Sequence, residues 1–120
     1  MQPSDLIDSQ WIPTELNGQP ALQFAGSPGL ELCFSRTHQV DGFGGCNRFF
    51  GSYECDGDAL TLGPLGSTRR FGPAELMKQE STLLAALQRV TAYRLSGDNL
   101  LLLSGEQVVL RCRLGGPPEA

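Results

Sequence analysis

The stretch from Asp41 to Tyr53 (DGFGGCNRFFGSY) brings together four glycines, three phenylalanines, a thiol and a carboxamide, a combination on which several chemistries could be built. Gly42-x-Gly44-Gly45 has the look of a phosphate cradle. Cys46 or Cys33 with His38 would be a thiol and its base, Glu80 a proton carrier, and Arg69-Arg70 an anion clamp. Each reading meets a physical objection. A phosphate loop needs its lysine and hydroxyl at the start of a following helix, and a dinucleotide fingerprint needs a strand before it and a helix after it. Here strand-like sequence follows, so the glycines read as positions where the backbone bends sharply and crowds its neighbours. His38 is the sole histidine and no G-x-S-x-G elbow exists, which removes a serine hydrolase. One histidine among four cysteines offers a Cys-His pair by composition alone, and the short Arg36-Thr37-His38-Gln39 turn reads as exposed. The expectation is a chain without catalytic residues, without a cofactor site and without a metal site.

Asn47 and Glu80 are the two polar residues whose positions ask for an explanation. A carboxamide donates and accepts at once, so Asn47 can tie a loop to neighbouring strands without carrying charge. Glu80 follows Leu76 by four residues and precedes Leu83 by three, which sets a carboxylate on the apolar face of a helix. Burial there is costly without partners. Arg69, Arg70, Thr68 and Asn47 are the candidates, and the reading is a fastening between helix and sheet. General acid or base work would call for a second carboxylate or a histidine beside it.

The elements that must position these residues follow from periodicity. Gln10 to Leu16 reads as a strand anchored by Trp11, and Pro13 makes it an edge strand or a broken one. Asn17-Gly18 has the composition of a tight turn, with Ala21, Leu22 and Phe24 extended beyond it. Leu30, Leu32 and Phe34 alternate with Glu31, Cys33 and Ser35, which gives a strand with one apolar face and Cys33 turned away from it. After the glycine-rich corner, Phe49, Gly51, Tyr53 and Cys55 share one face. Leu60 and Leu62 point inward after the Asp56-Gly57-Asp58 turn.

Pro73 to Val90 is the one convincing helix, with Pro73 in the first turn, Glu75 near its positive end, and Leu76, Leu83, Leu87 and Val90 as its stripe. Thr91 to Leu95, Asn99 to Leu103 and Gln107 to Leu114 are strands. In the last of these Val108, Leu110, Cys112 and Leu114 share a face. Hairpin-length connections and the lack of a βαβ rhythm predict antiparallel pairing. The expected architecture is mainly β, a small antiparallel barrel or roll of about seven or eight strands with one helix against it or plugging its open end. Residues 1–9 read as a flexible leader, 10–114 as a single domain and 115–120 as a flexible tail.

Composition sets the outer bounds. A chain of 120 residues, 40% hydrophobic and 18% charged, closes one core and leaves too little for a second. A net charge of -4, with no basic cluster longer than Arg69-Arg70, argues against nucleic acid and against an anionic membrane surface. The run Leu100 to Leu103 is far shorter than the roughly 20 apolar residues that cross a bilayer, so no transmembrane segment is expected. Met1 to Asp5 lacks the basic and apolar regions of a secretory signal, and no lipidation box is present. For Cys33, Cys46, Cys55 and Cys112 three states are open, in descending order: reduced thiols, one or two disulfides, a metal site.

Three segments together resemble the META domain family, which includes bacterial heat-shock-associated, HslJ-like proteins. They are Gly44-Gly45-Cys46-Asn47-Arg48-Phe49-x-Gly51-x-Tyr53, Leu60 to Arg69 (LTLGPLGSTR), and Glu80-x-x-Leu83-Leu84-x-Ala86-Leu87. The resemblance runs in order from about Leu6 to Leu114. It implies a barrel-like or roll-like antiparallel domain with one packed helix, and a structural signature carried here by Gly45, Cys46, Asn47, Thr68, Arg69 and Glu80. Members are often secreted, periplasmic or lipid-anchored, and some are linked to heat shock, antibiotic tolerance or, in trypanosomatid relatives, motility and virulence. No enzymatic activity is established across the family. Relatives commonly carry a cysteine directly before the proline that opens the helix, where this chain has Gly72-Pro73. Cys46 thus lacks the partner the resemblance supplies, which favours reduced thiols and leaves both envelope and cytoplasm open. The resulting expectation is a monomeric, non-catalytic, envelope- or stress-associated domain acting through protein interaction. A carrier of a small apolar ligand is the alternative, and an uncharacterised enzyme ranks last.

Overall fold

The computed structural model describes Leu6, residues 8–22 and residues 29–115. Among these, ten strands and one helix follow in the order β1 (Ser9–Leu16), β2 (Gln19–Pro20), β3 (Glu31–Phe34), β4 (Gln39–Phe43), β5 (Arg48–Asp56), β6 (Ala59–Leu62), β7 (Gly66–Ser67), α1 (Ala74–Gln88), β8 (Ala92–Ser96), β9 (Asn99–Ser104) and β10 (Gln107–Leu114). Every pairing is antiparallel. The order β1-β3-β4-β5-β6-β8-β9-β10 returns to β1 through a β10–β1 ladder, so the strands close into a ring; β2 and β7 are two-residue additions on β1 and β5. The mainly antiparallel architecture with one helix is the one read from the sequence.

Side chains from the inner faces fill the ring. Trp11, Leu32, Phe34, Val40, Phe49, Tyr53, Leu60, Leu100, Leu102 and Leu110 are buried in one cluster together with Leu83 and Leu87 of the helix. Phe34 and Tyr53 meet edge to face with centroids 5.1 Å apart, an arrangement favoured by the ring quadrupole. The Tyr53 hydroxyl donates to the Ser35 carbonyl at 2.6 Å, so its polar end is satisfied.

The helix begins after Pro73 and buries Leu76, Gln79, Glu80, Leu83, Ala86 and Leu87. Its polar side chains reach three segments at one end of the ring. Gln79 exchanges hydrogen bonds with the backbone of Leu22. Glu80 meets Cys46 and Asn47, and Gln88 bonds the Gly63 carbonyl and the Leu65 amide. The helix therefore covers the mouth at which β4 hands over to β5.

Several local expectations are corrected. β1 is not an edge strand, since β10 lies on one side of it and β3 and β2 on the other. The break at Pro13 is real: the register with β10 shifts between Pro13 and Glu15. Proline cannot donate to the ladder, and the Thr14 hydroxyl bonds the Arg111 carbonyl at 3.0 Å beside it. A second shift between Val108 and Leu110 buries both Val109 and Leu110, and Leu114 is exposed rather than sharing the inner face. Ahead of Gln10, Leu6 is fully buried, Asp8 pairs with Arg36 and Ser9 opens β1. The expected extension through Phe24 and the tail after Gly115 lie outside the described residues.

The first half of the glycine-rich stretch is a strand. Gly42 lies within β4 between Leu32 and Phe49, and a Cβ on it would come within 2.0 Å of the Glu31 carbonyl oxygen. Absence of a side chain is what lets β3 and β4 approach this closely, so the bend that the sequence suggested is confined to Gly44–Asn47.

Candidate functional site

The turn between β4 and β5 carries two amides that no strand partner uses. Glu80, reaching in from the second turn of α1, supplies their acceptor. Its Oε2 accepts from the Cys46 amide at 3.0 Å and from the Asn47 amide at 2.5 Å, while its Oε1 accepts from Asn47 Nδ2 at 2.8 Å. Three donors on one buried carboxylate offset the cost of removing it from water. A Cβ at position 44 would sit 2.6 Å from Glu80 Cγ and 2.9 Å from Oε2. Gly44 thus leaves the space that the carboxylate occupies.

Asn47 is the hub. Beyond Glu80, its Nδ2 donates to the Arg70 carbonyl at 3.1 Å; its Oδ1 accepts from the Thr68 hydroxyl at 2.9 Å and from the Arg70 amide at 2.5 Å. Both amide protons and both lone pairs of the oxygen are consumed. Thr68 Oγ1 also accepts from the Arg48 amide at 3.2 Å, and the Thr68 amide donates to the Arg48 carbonyl at 3.0 Å. Helix, corner and the segment after β7 are fastened through one carboxamide.

Of the six residues singled out in the sequence, Cys46, Asn47, Thr68 and Glu80 meet here. Gly45 adopts φ 115 beside Leu76 and shapes the turn. Arg69 does not join: its side chain is exposed and makes no hydrogen bond or ion pair among the described residues. The partner of Glu80 is therefore a carboxamide and two backbone amides, and neither arginine guanidinium takes part. Arg70, a candidate side-chain partner in the sequence, enters instead through its backbone N–H and C=O, a contribution that side-chain identity does not encode.

All four cysteines are free. Cys46 Sγ donates to the Arg70 carbonyl at 3.6 Å. Burial pushes the Cys112 thiol from its ordinary 9.0 up to about 12. Burial, reinforced by Glu31 and Asp41, pushes Cys33 up to about 11. His38 lies in the β3–β4 turn with φ 66 and stacks on Tyr53 at 5.8 Å, at the end of β4 away from Cys46. Among the described residues no cluster of histidine, cysteine and carboxylate side chains fits a metal ion.

Beside the bracket runs an open cleft of about 520 Å³, with Leu30 and Phe43 as apolar lining and Cys46, Arg48, Thr68 and Arg70 along its corner side. Arg48 is held by Asp41 at 3.0 Å and lies 3.7 Å from Glu31.

The META domain model matches residues 4–114. The chain belongs to the META domain family. No curated protein matches this META chain. Among solved structures, it is similar to a protein from Burkholderia xenovorans determined by NMR, with 26% identity, a TM-score of 0.73, and coverage of 92% of this chain and 83% of that one. A second NMR structure, at 22% identity and the same TM-score of 0.73, covers 99% of this chain and 100% of its own. A DUF4847 family protein from Bacteroides vulgatus shares the fold at 15% identity and a TM-score of 0.65, over 91% of this chain and 94% of that one. Among the described residues of the META chain no helix is long and apolar enough to cross a membrane.

Proposed function

We propose that this META domain is a non-catalytic, envelope- or stress-associated module that acts through interaction with another protein. The observation that carries this reading is the saturation of its most distinctive polar group. Asn47 spends its whole hydrogen-bonding capacity inside the protein, and Glu80 accepts from three N–H groups. Residues committed in this way hold a shape; a general acid or base must instead have a proton path to a bound substrate. Support for an apolar-ligand carrier is weaker, because the inward positions of the ring are occupied by large side chains.

The test is chemical crosslinking in the producing cells before and after heat shock. A discrete crosslinked species of defined mass, more abundant after stress, is the expected result. A chain that stays uncrosslinked in both conditions overturns the reading.

A further inference from the structure

We propose that the exposed segment Arg69-Arg70-Phe71, with the cleft it borders, is the docking surface, and that its partner is an acidic, apolar peptide segment of another protein. The proposal rests on the interaction reading above and assigns the surface and the chemistry. Phe71 is 94% exposed, the largest such value among the exposed large hydrophobic side chains. An exposed aromatic ring beside two cations offers a partner an anchor of the kind enriched at binding hot spots. Its neighbours Arg69 and Arg70 make no side-chain hydrogen bond or ion pair among the described residues. Arg48 and Arg70 line the cleft together with Glu31, Arg48 is paired with Asp41, and Arg69 adjoins Arg70 in the chain. Two adjacent exposed cations without an ion partner among the described residues stand out on a chain of net charge -4.

The segment is also held ready. Arg70 is clamped by both its amide and its carbonyl to the Asn47 side chain, and the Gly72 backbone abuts Cys46, since a Cβ there would lie 2.7 Å from Sγ. Ordering the loop before encounter lowers the entropy lost on binding. The bracket then has a purpose beyond stability, which is to present two cations and an aromatic ring at the rim of an apolar cleft. Carboxylates on a peptide would pair with the free guanidiniums while its apolar side chains cover Leu30 and Phe43. Two free cations are too few to hold a nucleic-acid backbone.

The test uses fluorescence anisotropy with the full chain and a labelled decapeptide of alternating glutamate and leucine. A lysine-leucine decapeptide and vesicles of anionic phospholipid serve as the other arms. Wild type is expected to bind the acidic peptide in preference to the basic one, with affinity falling as salt rises. Arg69→Ser with Arg70→Ser, and separately Phe71→Ser, should each weaken it by roughly tenfold at an unchanged thermal midpoint, since all three side chains are solvent-exposed. Equal binding of both peptides, no binding of the acidic one, binding to vesicles alone, or indifference to the three substitutions would each overturn the proposal. If the crosslinked species of the preceding experiment persists in the arginine variant, the surface assignment fails and the interaction reading stands. If wild type yields no crosslinked species, the broader reading fails with it.

Discussion

At the scale of single residues, Asn47 and Glu80 constrain one another. The orientation of the Asn47 carboxamide is fixed because the Arg70 amide requires its oxygen while the Glu80 carboxylate requires its nitrogen. Glu80→Gln breaks this agreement. If the new carbonyl faces the Cys46 and Asn47 amides, the new NH2 faces Asn47 Nδ2, and turning Asn47 over only moves the conflict to Arg70. One buried polar group is left without a partner, which costs about 1–3 kcal/mol, and a lower urea midpoint at unchanged slope is the expected measurement. A second residue-scale effect concerns Cys112. Its folded thiol ionises near 12 against an ordinary 9.0, so above pH 9 the unfolded chain releases a proton that the folded chain keeps. Stability from this group is complete below pH 9 and declines as pH rises toward 12. Chemical denaturation at pH 7 and at pH 10 should show a shallower loss in Cys112→Val than in wild type. The anomaly at Glu80 was legible from helical spacing, since a carboxylate on an apolar stripe demands partners. Which partners it finds was not legible, because backbone amides belong to no residue type in particular.

At the scale of elements, the segment between β7 and α1 is defined by how it meets the β4–β5 corner. A Cβ built on Gly72 falls 2.7 Å from Cys46 Sγ and 3.7 Å from Cys46 Cβ, and the second distance lies within the usual range of a disulfide. Gly72→Cys is expected to close a bridge with Cys46 under oxidising conditions, raising stability by about 2–4 kcal/mol. A thermal midpoint that rises without reductant and returns with it checks this; two thiols still titratable after oxidation would contradict it. The helix and most strands could be read from the periods of two and 3.6 because burial enforces them. The strand Gln39–Phe43 could not, since its glycine and aspartate carry little strand propensity. Its pairing with β3 and β5 depends on close backbone approach at Gly42, and tertiary fit overrides composition there. The two register shifts were hidden for a related reason, as an alternating pattern does not announce where one extra residue enters it.

At the scale of the whole molecule, the ring is uneven. β9 and β10 pair along most of their length, whereas β6 and β8 share the single bridge Ala59–Ala92, flanked by the Leu60 and Tyr93 amide bonds at 3.0 and 2.9 Å. Local opening starts where few backbone bonds hold. Hydrogen exchange should therefore release the Leu60 and Tyr93 amides before those in the middle of the β9–β10 ladder, and equal protection across both would mean that the ring opens only as a whole. Closure at the opposite side has a different character. The ladder that completes the ring joins Trp11 to Leu114 and Leu16 to Leu110, nearly the greatest sequence separation the chain permits. Such a contact demands that the intervening residues be ordered first or their loop entropy be lost at once. During synthesis, β1 must wait beside an unfilled edge until residues 107–114 have been made. A nascent chain stalled short of Gln107 would present that strand, and the apolar cluster behind it, to whatever chaperone stands nearest.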